Sequence, residues 1–251
     1  MRLYFKGPYT NDDRLPHEEI KKHPTAEKFK EFENTKQFLL LINLVSFIIL
    51  AVITYIYHKI TGLINVSLTG IFLVFASMIP HEYIHASFFR RRTYIYFHQY
   101  ALMITGTEPM SKTRFISMCV TPSIVFGFIP FILYLLNPQW TILGTFGGIS
   151  LSMCLGDFYN AYHCLTQVPS NGLCFMNKQN TYWFIPDQSQ RLRKLRPTVI
   201  DKLFGFVSVA MIIFIYCCGM YGVECVGLVL QVILYELTLY SLIAYLQIQD
   251  S

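Results

Sequence analysis

Charge is what this 251-residue chain has least of. Asp, Glu, Lys and Arg make up only 14% of it, against 53% hydrophobic and 16% aromatic residues. Soluble domains carry about a quarter charged residues, so the balance excludes an ordinary soluble globule and points to an integral membrane protein. An apolar leader is also missing. Residues 11–36, NDDRLPHEEIKKHPTAEKFKEFENTK, mix acids with bases, so no cleavable signal peptide is expected. Residues 1–36 are expected instead as a cytoplasmic segment, a short helix leading into a first span that acts as an uncleaved anchor. Internal repeats and low-complexity tracts are absent. The seven cysteines (119, 154, 164, 174, 217, 218 and 225) show neither CxxC nor zinc-ribbon spacing. They read as small buried hydrophobes and give no reason to expect disulfides.

Apolar runs of about twenty residues, the length that crosses a bilayer, are plentiful. Six stand out, at 37–57, 63–89, 116–136, 141–165, 204–220 and 225–247. The expected fold is an all-α integral membrane protein of about six transmembrane helices, with a single membrane-embedded domain over residues 37–251. If both termini lie inside, the connections 1–36, 90–115 and 166–203 hold nearly all Lys and Arg, and only Lys59 falls on the other face. The loops at 137–140 and 221–224 have no basic residue. The net charge of +5 is therefore an orientation signal of the positive-inside kind rather than a nucleic-acid surface, for which no recognition module is present. The bilayer is the expected partner, and nucleic acid is not.

Ionisable groups inside a span are costly, about 2–3 kcal/mol or more each, and usually mark function. Residues 77–92, SMIPHEYIHASFFRRR, place His81, Glu82 and His85 inside such a run. On a helix His81 and His85 are one turn apart and project from one face, so both imidazoles can hold one tetrahedral zinc. Glu82 can then take a proton from an activated water, the chemistry of HExxH in zinc peptidases. A chance HExxH in a chain of this composition is on the order of one per cent, and the apolar setting argues further against chance.

A catalytic zinc wants a third protein ligand and an open position. Asp157, in SMCLGDFYNAYH, is the only acid of the fourth run. At ~1.5 Å per residue, His81 and Asp157 both lie roughly 12 Å inside the same boundary, the equal depth that a shared metal requires. Gly156 beside it is expected to let a neighbouring helix approach, and Asn160 to orient the carboxylate. His163 ranks below Asp157 as a ligand because it lies nearer the interface. A structural hydrogen bond is the competing role for Asp157.

Between the second and third runs, TYIYFHQYALMIT (93–105) is aromatic and β-branched with no helical stripe, and reads as a strand or hairpin turning near Gly106. It is either a strand edge that pairs with an extended substrate or an aromatic belt at the membrane surface. Glu108 is a substrate-facing or structural acid, and His98 a surface or packing residue. The polar segment 166–203 reads as a loop with a short strand near 182–185, and its RLRKLRP run as lipid-headgroup contact. Glu224 and Glu236 read as packing or interfacial acids.

Taken together, HEYIH, the aromatic strand-like segment, TEPMS followed by a span opening with Thr121-Pro122, LGD at 155–157 and TYWF at 181–184 resemble a bacterial membrane-protein family described as zincin-type peptidases. The likeness covers roughly residues 75–185. It implies an integral-membrane zinc metallopeptidase in a bacterial cytoplasmic membrane, with His81, His85 and Asp157 on Zn2+ and Glu82 as the catalytic base. The order Gly156-Asp157 reverses the Asp-Gly of site-2 proteases, which the chain resembles more distantly. The expected function is hydrolysis of a peptide bond in a peptide or membrane-protein substrate. The alternatives are a non-hydrolytic metal-binding membrane protein, such as a sensor or transporter subunit, and a structural pseudo-peptidase.

Overall fold

The computed structural model describes residues 1–9, 16, 19–32, 34–62, 66–98, 101–178, 180–186, 196–222, 231 and 233–234. Nearly all of the run at 225–247, with Glu236, lies outside these residues, as do Glu224 and most of the basic 191–197 stretch.

The chain is mostly helical, in the order β1 (Arg2–Pro8), α1 (Glu19–Lys22), β2 (Glu27–Lys28), α2 (Thr35–Thr61), α3 (Leu68–Ala76), α4 (Met78–Ser87), β3 (Arg92–His98), β4 (Ala101–Thr105), β5 (Met110–Ser111) and α5 (Lys112–Pro122). A π-helical stretch, Ser123–Phe128, joins α5 to α6 (Ile129–Leu136), and α7 (Thr141–Met153), α8 (Leu155–Gln167), β6 (Leu173–Asn177), β7 (Asn180–Phe184) and α9 (Val199–Tyr221) follow. Among the described residues three helices are long and apolar enough to cross a membrane: Lys36–Thr61, Lys112–Leu136 and Val199–Tyr221. The bent pair α7–α8 makes a fourth if it is one span. Along α2, Leu40 and Phe47 are exposed, as on a helix that meets lipid with an apolar surface.

Two expected spans are broken rather than continuous. The 63–89 run divides at Ser77 into α3 and α4. Pro80 has no N–H for the Ala76 carbonyl, so the ladder cannot run through, while Pro80 is tolerated in the first turn of α4. The 141–165 run bends by 49° at Cys154 between α7 and α8. Pro122 and Pro130 bracket the π-helical stretch, where the same loss of donors loosens the ladder into the wider winding.

The strands make two sheets, β1-β3-β4 and β2-β7-β6-β5. Every strand comes from one of the three charged connections, so these segments pair with one another and lie together beside the helices. The N-terminal segment departs from the expected short helix. Among its described residues the only helix before α2 is the single turn α1, while residues 2–8 form β1, parallel to β3 with Leu3 opposite Thr93 and Phe5 opposite Ile95. Leu3 and Phe5 are buried and alternate with less buried Tyr4 and Lys6, the period of a strand with one face on the core. The strand-like 93–105 segment forms the antiparallel β3–β4 hairpin, closed at the His98–Ala101 pair rather than near Gly106, and the 166–203 connection carries the β6–β7 hairpin.

Helix packing is tight where glycine permits it. A Cβ on Gly147 would lie 2.7 Å from the Phe131 nitrogen and 2.9 Å from the Gly127 carbonyl oxygen, so α7 meets the 123–136 stretch backbone to backbone. Leu73, Phe126, Ile142, Phe146 and Ile215 fill the core where α3, α7 and α9 converge. α4 packs beside this core, against α5, α9 and β4.

Candidate metal centre

α4 carries His81 and His85 on one face, one turn apart, with their Nε2 atoms 3.1 Å from each other. Asp157, in the first turn of α8, reaches both: Oδ2 is 3.4 Å from His81 Nε2 and Oδ1 is 3.5 Å from His85 Nε2. The bend at Cys154 starts α8 afresh beside α4, and the carboxylate sits where the helix N-terminus favours negative charge. Two further contacts orient the imidazoles. His85 Nδ1 lies 3.0 Å from the Met118 carbonyl on α5 and donates to it, so neutral His85 presents a bare lone pair at Nε2. The ring of His81 stacks on Phe126 of the π-helical stretch, centroids 6.0 Å apart and planes at 20°.

The donor set fits a metal. One ligand atom from each of His81, His85 and Asp157 lies within 4.8 Å of the others. Ligand bonds of about 2.0–2.1 Å at tetrahedral angles place neighbouring donors about 3.3 Å apart, and the observed separations of 3.1, 3.4 and 3.5 Å bracket that value. Two nitrogens and a carboxylate suit zinc, and three ligands leave the fourth position for water or substrate.

Glu82 follows His81 on α4 and lines a cavity of about 330 Å³ together with His81, Asp157 and Leu102 of β4. Among the described residues β4 has a strand neighbour on one side only, β3. Leu102 on the cavity wall puts β4 beside the site.

Other sequence-predicted residues lie elsewhere. His163 packs among Tyr159, Tyr162 and Phe29 and bonds Gln167, outside the cluster. Among the described residues no hydrogen bond joins Asn160 to Asp157, so the expected orienting role falls to the imidazoles. Gly156 admits no helix: a Cβ built there meets no atom within 4 Å. Glu108 is a structural acid, 4% exposed, whose carboxylate accepts the backbone N–H groups of Arg90 and Arg91 and the guanidinium of Arg114. It ties the exit of α4 to the start of α5, the helix that supplies the Met118 carbonyl. Sequence reasoning left Glu108 open between two roles and missed Met118, because a backbone carbonyl leaves no mark in side-chain identity. No disulfide joins the described cysteines.

Residues 73–173 match the model of a family described as "Putative zincin peptidase". The matched stretch contains all three donors and Glu82. No curated protein and no solved structure matches the chain. The family description supports a zinc-dependent metallopeptidase, and the apolar helices are consistent with a membrane protein.

Proposed function

We propose that the chain is a membrane-embedded zinc metallopeptidase that hydrolyses a peptide bond in a membrane-associated peptide or protein. The observation that carries this reading is the convergence of His81, His85 and Asp157, with Glu82 on the wall of the same cavity. His81 and His85 would hold the ion through Nε2 and Asp157 through its carboxylate. A bound zinc supplies Lewis acidity, polarising water and a substrate carbonyl. Glu82 takes the proton of the attacking water on its carboxylate and returns it to the departing amide nitrogen. Placement of Glu82 next to a ligand on one helix holds the carboxylate against the cavity. The outer edge of β4 offers main-chain groups to an extended substrate, leaving the scissile bond beside Glu82. With the basic connections on the cytoplasmic side, the cavity opens within the inner leaflet.

Glu82 favours hydrolysis over the two alternatives, a non-hydrolytic metal-binding protein and a structural pseudo-peptidase, because neither metal retention nor scaffolding needs a carboxylate there. Purified protein with Glu82→Gln is expected to keep its zinc and to lose cleavage of substrates trapped from native membranes. Undiminished cleavage by that variant would remove Glu82 from the mechanism, and wild type without stoichiometric metal would remove the zinc.

A further inference from the structure

Glycine is the weakest helix former after proline, so a helix that keeps one usually has a packing reason. Every other described glycine inside a helix has one, since a Cβ added to it would fall within 2.8 Å of a neighbouring atom. Gly156 alone meets nothing within 4 Å, and it has no positive φ that would demand glycine. The absent side chain leaves empty space, and that space is the cavity beside His81 and Asp157, which Gly156 lines.

Away from the polar groups the cavity is apolar: Val74 and Met78 come from the α3–α4 pair, Leu102 from β4, Phe126 from the π-helical stretch and Met153 from the end of α7. Its volume of about 330 Å³ is roughly twice the ~150 Å³ that accommodates a benzene ring. Leu102 on the wall places the cavity beside β4, which among the described residues has a strand neighbour on one side only. Successive side chains of a strand point to opposite faces, so an extended peptide beside β4 would turn one side chain inward.

We propose that this cavity is a substrate pocket for one bulky apolar side chain adjacent to the cleaved bond, and that Gly156 sets its size. The proposal rests on the peptidase reading for the peptide nature of the ligand. The pocket's shape and chemistry stand without it.

The test uses the full chain, purified in detergent and loaded with zinc, as wild type, Gly156→Ala and Gly156→Leu. The probes are three hydroxamates differing only in tail: methyl, isobutyl and benzyl. Wild type is expected to bind benzyl more tightly than methyl by about tenfold or more, a difference of the size that apolar pockets give. Gly156→Ala should narrow the ratio and Gly156→Leu bring it within about twofold of unity, with zinc still at one per chain. Should Gly156→Leu lose its metal, Val74→Phe fills the same space from α3 and should collapse the ratio in its place. A flat ranking in wild type, or one that neither substitution alters, overturns the pocket.

A second readout separates the pocket from the activity. Wild type digesting a proteome-derived peptide library should cut beside Phe, Leu, Met or Tyr, and Gly156→Leu should shift the cuts to Gly, Ala or Ser. Tails ranked as expected with no peptide cut would leave the pocket standing and refute the peptidase. Peptides cut without dependence on side-chain size would refute the pocket and leave the peptidase. Neither ranking nor cleavage would refute both.

Discussion

Replacing Glu108 with Gln should damage the metal centre without touching it. The Glu108 carboxylate accepts the Arg90 N–H at 2.7 Å, the Arg91 N–H at 2.6 Å and Arg114 Nη2 at 3.1 Å, and its side chain is only 2% exposed. Glutamine keeps the shape but converts one oxygen into a donor, so one backbone N–H faces an NH2 group and Arg114 loses its counter-charge. A hydrogen bond to a charged group contributes about 1.5–3 kcal/mol, and breaking a buried ion pair costs about 3–5 kcal/mol. Arg114 is 20% exposed and recovers some solvation, which lowers the expected total to about 2–4 kcal/mol. For a chain of this size that corresponds to an apparent Tm lower by roughly 5–10 °C. The clamp also sets α4 against α5, and hence the His85 Nδ1 to Met118 contact, so zinc affinity should fall by about 10–100-fold. Thermal unfolding in detergent and a competitive zinc titration read the two effects. Wild-type values for both in Glu108→Gln would refute the clamp, and a Tm loss with unchanged zinc affinity would confine Glu108 to stability.

Four further outcomes are expected. Asp157→Ala leaves two imidazoles 3.1 Å apart without a carboxylate, and zinc per chain after dialysis against a weak chelator should drop well below one. Glu82→Gln should retain zinc while slowing peptide hydrolysis by about 10²–10⁴-fold, the usual contribution of a general base. Removing zinc with a strong chelator should lower Tm, and returning it at about 100 times Kd should restore roughly 2.7 kcal/mol, read as recovery of the unfolding midpoint. Alanine at two glycines should act with opposite signs. Gly147→Ala forces a Cβ to within 2.7 Å of the Phe131 nitrogen and should cost about 1–3 kcal/mol, whereas Gly156→Ala enters open space and should stabilise α8 by up to about 1 kcal/mol, both measured by unfolding.

Local physics made the heart of the candidate site, the cluster of His81, His85 and Asp157, legible in the amino-acid sequence. Histidines four apart on a helix must share a face, whatever the helix packs against, and an acid alone in an apolar run stands out because hydrocarbon penalises charge. Counting residues from the basic boundary was enough to pair Asp157 with α4, because helical rise is constant. The strand-like 93–105 segment was legible for the same reason, since period two is a local property. Spans drawn as continuous were not, because Pro80 and Cys154 divide them.

What tertiary structure alone decided is whatever depends on backbone atoms and empty space. The Met118 carbonyl that fixes the His85 tautomer could belong to any residue type. Residues 2–8 find their place only because β3 offers an edge, so a seven-residue stretch with weak local preference became a strand. Glu108 needed the fold to bring Arg90, Arg91 and Arg114 around it before substrate contact and clamp could be told apart. Gly156 needed it most: sequence can say that a side chain is missing, and only the packing around it says whether a helix or a cavity takes the room.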